Sequence, residues 1–233
     1  SGSEEQVGRP GWKPQWGASG LPKYVKDPKV TLLYPPGQSW PGMYCKPNGS
    51  LAYPSLGGVL IEAGIEVSVF DACVGNEKDN LQEVLDRSHE LPSGLVRTGV
   101  SDRRILEEVM DSDVVGLTSI FTDQETMVLS AARLIKQEYP DKLLVAGGVN
   151  ARSRVEVFLA NGLDVVCLSE AENTILRIVD EVRRGGRDFS NIAGVACRMA
   201  GEVAFNRTRP ADIVWDLDQL PMPAWHLLPN ERY

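Results

Sequence analysis

Residues 142–153, with the sequence KLLVAGGVNARS, decide the fold class of this chain. The segment starts as a short apolar run, and two adjacent glycines, Gly147 and Gly148, separate this run from a stretch with helical periodicity. A continuous apolar run of this length is typical of a strand that is buried on both faces, as in a parallel sheet. The glycines leave the backbone bare at the carboxyl end of that strand, which is the end where open α/β sheets bind ligands.

The same alternation of apolar strands and amphipathic helices runs through most of the chain. The predicted strands are 29–36, 66–72, 113–121, 142–148 and 164–170. The predicted helices are 56–64, 79–91, 101–110, 124–138, 152–161 and 172–185. This order predicts a five-stranded, parallel, doubly wound α/β domain of the Rossmann-like or flavodoxin-like type. Residues 194–210 predict a small C-terminal β-hairpin that turns at Ala200 and Gly201.

These patterns divide the chain into three regions. Residues 1–28 are rich in Gly, Pro, Trp and Lys and predict an irregular N-terminal arm, whose opening SGS is typical of a tag scar. Residues 29–190 make up the α/β domain. Residues 191–233 contain the hairpin and a Pro-rich connector that is too short to form a core of its own. We expect this connector to lead into a further domain.

Composition excludes several classes of partner. The net charge is −8 and the sequence pI is about 4.9, and no cluster of Lys and Arg offers a face for nucleic acid. No apolar run approaches the roughly 18 residues of a membrane span, and no signal peptide is apparent. The cysteines are too far apart for a zinc knuckle or a CxxC pair, so we expect a reduced, cytoplasmic protein. They are Cys45, Cys73, Cys167 and Cys197; we expect Cys167 to be a plain buried thiol.

Small and hydroxyl-bearing residues follow the last three predicted strands. The carboxyl ends of these strands are Thr118–Ser119–Ile120–Phe121–Thr122, Gly147–Gly148–Val149–Asn150 and Ser169–Glu170–Ala171–Glu172. Small residues would admit a flat or extended group, and hydroxyls would orient its polar atoms. The alternative is that the glycine pair serves only close packing of a strand against a helix. From the residues alone both interpretations stay open.

Several familiar sites do not match. The first predicted strand is followed by YPPGQSWPG, which is not the G-x-G-x-x-G of dinucleotide-binding folds, and no P-loop is present. A phosphoacceptor domain would need a carboxylate where Thr118 stands, whereas a flavodoxin-type phosphate loop remains an alternative. No nucleophile–base pair is evident, and His89 and His226 are far apart. We expect Glu170 and Glu172 to cap the helix that follows them.

The order of the segments resembles the N-terminal cobalamin-binding domain of B12-dependent radical S-adenosylmethionine (SAM) enzymes. The resemblance runs from about residue 29 to the C-terminus. The segments that carry it are YPP, SLGGVLIEAGIEVSVFDA, DVVGLTSIFT, LLVAGGVNA, DVVCLSEAENT, IAGVACR and LDQLPMPAW. In this family a segment similar to the last one leads from the cobalamin domain into the radical barrel.

The resemblance implies that the nucleotide tail of cobalamin enters the sheet beside the third and fourth strands, where Gly147 and Gly148 would give it room and Ser119 and Thr122 would hydrogen-bond it. The implied binding residues are Thr118, Ser119, Ile120, Thr122, Gly147, Gly148, Val149 and Asn150, with Ser169, Glu170 and Ala171 near the nucleotide end. The family's common G-E-G-E is S-E-A-E here, which puts contacts from that loop in doubt.

The D-x-H-x-x-G motif that supplies a cobalt-ligating histidine in other cobalamin domains is absent. The resemblance therefore implies base-off cobalamin without a histidine ligand, with its lower face covered by loop residues from 37–54 or 73–76. The aromatic residues Trp40, Tyr44 and Tyr53 would either pack on the corrin edge or close the small core of their own loop.

The implied function is the cobalamin-binding module of a methyltransferase that holds methylcobalamin. The partner would be a radical SAM barrel in cis, with S-adenosylmethionine and a [4Fe–4S] cluster. The C-x-x-x-C-x-x-C motif that binds the cluster is absent from these 233 residues, so we expect this chain alone to be inactive and the motif to follow Tyr233 in the gene. The alternatives are a stand-alone cobalamin-binding or sensing domain, and an α/β domain that binds a flavin or a nucleotide.

Overall fold

A computed structural model describes residues 25–43, 49–209 and 213–233. Nearly all of the predicted N-terminal arm, together with Tyr44 and Cys45, lies outside the described residues. Within these ranges no helix has both the length and the apolar character needed to cross a membrane.

The strands form one large and one small sheet. The strands are Lys29–Tyr34 (β1), Gly37–Ser39 (β2), Glu66–Asp71 (β3), Ser88–Glu90 (β4), Val96–Thr98 (β5), Val114–Thr118 (β6), Leu143–Gly147 (β7), Val165–Cys167 (β8), Val195–Met199 (β9) and Glu202–Asn206 (β10). The large sheet has the order β10-β9-β8-β7-β6-β1-β3. Its strands β3, β1, β6, β7 and β8 are parallel to one another. Strand β9 pairs with β8 in antiparallel orientation, and β10 pairs with β9 in the same way. The order reverses between β1 and β6, which marks the switch point of a doubly wound fold.

Helices cover both faces of the large sheet. The helices are Ala52–Glu62 (α1), Leu81–Asp86 (α2), Asp102–Val109 (α3), Glu125–Glu138 (α4), Val149–Ser153 (α5), Val155–Ala160 (α6) and Glu172–Arg183 (α7). One apolar core joins the sheet to α3, α4 and α6, and a second core on the opposite face joins it to α1 and α7. Side chains on each strand alternate between these cores, as with Leu144 in the first and Val145 in the second.

The five parallel strands and their helical cover confirm the predicted fold class. Three local predictions differ from the structure. The hairpin, expected after the α/β domain, extends the same sheet because β9 pairs with β8. The helix predicted over 79–91 ends at Asp86, because Ser88–Glu90 pairs with β5 and β5 also pairs with β2. The predicted helix over 152–161 is two short helices, α5 and α6.

The C-terminal segment, residues 213–233, folds back onto the domain. The backbone N–H of Ala224 donates to the carbonyl of Pro54 in α1 at 2.8 Å. The Arg232 guanidinium donates to the carbonyls of Val74 and Asp79 at 2.8 and 2.9 Å. The Tyr233 hydroxyl donates to Oδ2 of Asp71, at the end of β3, at 2.9 Å. The predicted connector is therefore bound along α1 and the tip of β3.

Asp71 makes the stability of this arrangement depend on pH. Burial raises the pKa of the Asp71 carboxyl from 3.8, although hydrogen bonds from Cys73 and Tyr233 act in the opposite direction. A carboxyl whose pKa is raised on folding binds a proton more tightly in the folded chain. Its stabilising contribution is therefore complete below the unfolded pKa and is lost as pH rises through the folded pKa.

We expect Asp71→Asn to remove this pH dependence. The free energy of unfolding of the unchanged chain should fall relative to that of the variant as pH rises from about 4, by at most about 1.4 kcal/mol per pH unit. Urea unfolding of both proteins between pH 4 and 7 measures this difference. A difference that is constant over the range, or that grows in favour of the unchanged chain, would contradict the assignment.

Candidate functional site

A cavity of about 320 Å³ opens at the carboxyl ends of the parallel strands. It lies on the face of the sheet that α1 and α7 cover. The lining residues on this face of the sheet are Leu32, Gly116, Thr118, Val145, Gly147 and Cys167. They come from β1, β6, β7 and β8, so the cavity spans the switch point where a ligand site is expected in such folds.

The two adjacent glycines have different structural roles. A Cβ atom built on Gly147 would meet no atom within 4 Å, so this position opens directly into free space. Gly148 has a φ of +99°, and a Cβ there would lie 2.4 Å from the carbonyl oxygen of Ser119. Gly148 is thus required by the backbone, whereas Gly147 is not required by any packing contact. The open space at Gly147 is what the ligand interpretation of the pair requires, whereas Gly148 serves the close approach of the Ser119 backbone.

The first turns of α1 and α7 form the opposite wall. The lining residues of this wall are Ala52, Tyr53, Leu56, Glu172 and Ile175. The buried Tyr53 hydroxyl donates to the carbonyl of Leu33 at 2.6 Å, which anchors α1 on β1. The Ser55 hydroxyl donates to Oε1 of Glu172 at 2.9 Å and joins the two helices. The wall is therefore fixed at both the sheet and the neighbouring helix.

The interior of the cavity is largely apolar, and two of its polar groups, the Cys167 thiol and the Tyr53 phenol, are uncharged. Burial, and secondarily the Glu172 carboxylate, raises the pKa of the Cys167 thiol to about 12. Burial likewise raises the pKa of the Tyr53 phenol well above its ordinary value. Neither group is ionised at neutral pH. Charged side chains that line the cavity are Arg152, Glu170 and Glu172.

Eight of the eleven predicted binding residues line this cavity. They are Thr118, Ile120, Gly147, Gly148, Val149, Ser169, Glu170 and Ala171. The other three lie nearby but do not line it. Ser119 is fully buried and its hydroxyl accepts from Nδ2 of Asn150 at 2.9 Å, while Thr122 lies in an exposed turn that precedes α4. The Oδ1 atom of Asn150 is buried and has no hydrogen-bond partner within the described residues.

Strand alternation identifies two lining residues beyond the eight candidates. Gly116 and Val145 stand two positions before the candidates Thr118 and Gly147, so these positions share the same face of the sheet. The α1 residues and Arg152 carried no comparable signal. The expected capping by acidic residues is wrong for Glu172, since α7 begins at Glu172, its N-cap residue Ala171 provides no side-chain cap, and Glu172 instead accepts from Ser55.

The aromatic residues of the first loop differ in their surroundings. Tyr53 belongs to the core between α1 and the sheet and not to a separate small core of its loop, and its contact with a corrin edge stays a prediction. Trp40 is exposed, and Tyr44 lies outside the described residues.

The histidines lie away from the cavity. His89 is in β4 and His226 is in the C-terminal segment, and neither lines the cavity. In the described part of the chain no group of three or more His, Cys, Asp or Glu side chains is placed to hold a metal ion.

The sequence and the fold of this chain are similar to those of one type of enzyme. No family model matches the chain. Cytidylyl-2-hydroxyethylphosphonate methyltransferase of Streptomyces wedmorensis is 27% identical to this chain over an alignment of 236 positions, which covers 92% of this chain. The chain spans only 43% of the length of that relative.

Solved structures show the same fold. The structure of the cobalamin-dependent S-adenosylmethionine radical enzyme OxsB, with aqua-cobalamin bound, matches 85% of this chain with a TM-score of 0.60 and 19% identity. The chain has the fold of a domain of cobalamin-dependent radical SAM enzymes. The radical SAM methyltransferase TsrM from Kitasatospora setae, with cobalamin and a [4Fe–4S] cluster bound, matches 84% of this chain with a TM-score of 0.55 and 16% identity. This chain covers 24% of OxsB and 31% of TsrM. The expected resemblance is confirmed at the level of the fold.

Proposed function

We propose that this chain is the cobalamin-binding module of a B12-dependent radical SAM methyltransferase. The observation that carries the proposal is the open space at Gly147, inside a cavity at the switch point of a fold that OxsB and TsrM share. A strand residue whose Cβ direction is free, in an otherwise packed sheet, leaves room for a ligand where a side chain would stand.

The size and lining of the cavity fit one part of cobalamin. Its volume, about 320 Å³, is at the lower end of the roughly 300–1,000 Å³ of small-molecule sites. The corrin with its amide side chains is much larger, so it would lie at the mouth, while the flat benzimidazole of the nucleotide tail would enter. Apolar side chains such as Leu32 and Val145 would contact the ring, and Thr118 and Ser169 would hydrogen-bond its sugar-phosphate.

The absence of histidine from the cavity supports base-off binding without a histidine ligand. A tail that occupies the cavity would be removed from the cobalt, and neither His89 nor His226 is placed to replace it. When bound, methylcobalamin supplies a transferable methyl group on cobalt. The residues of this chain would bind the tail, orient the corrin and keep water from the buried ring.

The rest of the proposed enzyme would be encoded beyond Tyr233. We propose a radical SAM barrel in cis that binds S-adenosylmethionine and a [4Fe–4S] cluster, and a cytoplasmic location for the whole protein. The proposal expects C-x-x-x-C-x-x-C soon after Tyr233 in the native gene. A gene without that motif would favour the stand-alone binding or sensing domain instead.

Retention of cobalamin tests the proposal directly. We expect the chain, mixed with hydroxocobalamin and desalted, to keep the absorption of about one cofactor per protein. Methylcobalamin should give a base-off spectrum, and the double variant His89→Ala/His226→Ala should give the same spectrum. A base-on spectrum would contradict the placement of the tail. Retention of flavin mononucleotide but not of cobalamin, in the same desalting assay, would favour the flavin alternative.

A further inference from the structure

The helix α1 is held between the cavity and the C-terminal segment. On one side Ala52, Tyr53 and Leu56 line the cavity. On the other side Pro54 accepts the hydrogen bond from Ala224. One side of α1 therefore lines the cavity, and the other side contacts the docked C-terminal segment.

Two glycines of α1 allow the segment to come this close. A Cβ atom on Gly58 would lie 2.6 Å from the backbone carbonyl oxygen of Met222, which no change of side-chain rotamer can relieve. A Cβ atom on Gly57 would lie 2.6 Å from Cδ1 of Leu227, the far end of a flexible side chain. Gly58 is thus a position of α1 at which any side chain would collide with the backbone of the segment.

The intrinsic stability of α1 is low. Glycine is the weakest helix former after proline, and this helix of 11 residues contains Gly57 and Gly58. The residue that precedes it, Leu51, provides no side-chain hydrogen bond to cap its first turn. A helix of this composition depends on packing from both sides to hold its position.

We infer that the docked C-terminal segment, residues 213–233, is a positioning element for the cavity, and that its docking and the filling of the cavity stabilise one another through α1. Coupling of this kind is reciprocal, so a ligand in the cavity strengthens docking by the same factor by which docking strengthens ligand binding. The ligand side of this coupling rests on the proposed function, whereas the effect of docking on α1 does not.

Two alanine variants test the inference. Gly57→Ala and Gly58→Ala add the same methyl group to neighbouring positions of one helix and gain the same helix propensity. We expect Gly58→Ala to displace the segment, and Gly57→Ala to leave it docked. Amide hydrogen exchange should be about tenfold faster over residues 222–228 and over α1 in Gly58→Ala than in Gly57→Ala. Retention of hydroxocobalamin should be weaker by a similar factor.

Each outcome of this comparison decides the inference. Faster exchange over 222–228 with unchanged exchange over α1 overturns it, as does equal exchange in the two variants. If the unchanged chain does not retain hydroxocobalamin, the proposed function fails, but the exchange over α1 still decides whether the segment positions the wall. If Gly58→Ala does not fold, Tyr233→Phe loosens the segment from its other end without a change in α1, and the same exchange pattern is expected.

Discussion

A Gly147→Leu variant is expected to fold as the unchanged chain does and to retain no hydroxocobalamin after desalting. The side chain would project from β7 into open space, since no atom lies within 4 Å of a Cβ at this position. It would replace the proposed ligand rather than displace protein atoms. We expect the affinity to fall at least about 100-fold, which corresponds to about 2.7 kcal/mol.

The measurement needs both an absorption spectrum and a thermal unfolding curve. The midpoint of unfolding should stay within a few degrees of that of the unchanged chain, because the side chain leaves the backbone into open space and glycine is a poor strand residue. Gly147→Ala is the graded control and should weaken retention less than leucine does. Full retention by Gly147→Leu would show that the cofactor binds elsewhere and would remove the main support for the proposed function.

A substitution of the neighbouring glycine, Gly148, should lower the stability of the fold. We expect Gly148→Ala to lower the free energy of unfolding by roughly 3 kcal/mol, because the strain of a positive φ adds to a backbone clash. The φ of Gly148 is +99°, and the added Cβ would lie 2.4 Å from the Ser119 carbonyl oxygen. That carbonyl also accepts from the backbone N–H of Asn150, so a shift would break the turn between β7 and α5.

A substitution at a second glycine separates the contributions of strain and of the clash to this loss of stability. Gly201, at the turn of the β9–β10 hairpin, has a φ of +90° and nothing within 4 Å of a Cβ. Gly201→Ala therefore carries the conformational strain without the clash, and we expect a loss of about 1 kcal/mol. Urea unfolding of the two variants measures both values. Equal losses would mean that the approach to Ser119 is relaxed without difficulty.

The parallel strands were the most predictable part of the fold. Residues 143–148 are apolar without a break, and a strand with helices on both sides of the sheet requires that pattern. The residues at the strand tips were predictable for the same reason, since parallel strands bring their carboxyl ends to one edge. The small sheet was not, because Ser88–Glu90 is polar and exposed and becomes a strand only by pairing with Val96–Thr98.

The far wall of the cavity depends on contacts between distant segments. Nothing near Ser55 in the sequence indicates that its hydroxyl meets Glu172, which is 117 positions away. The adjacent glycines of α1 would argue against a helix by propensity alone, and their reason appears only when residues 222–227 lie against them. Local sequence therefore predicted the strand side of the site, and long-range docking determined the helix side.

The pairing of β9 with β8 has a consequence for anyone who grafts this domain into another protein. The last parallel strand, Val165–Cys167, is short and lies between β7 and the hairpin. A graft that ends at residue 190 would lack β9, so β8 would become an open edge strand. The apolar residues that pack against β9, including Cys167 beside Val195, would then be exposed, and strands of different copies could pair at this edge. The smallest unit that can be grafted therefore extends at least to Asn206, because the hairpin protects the edge of the parallel sheet.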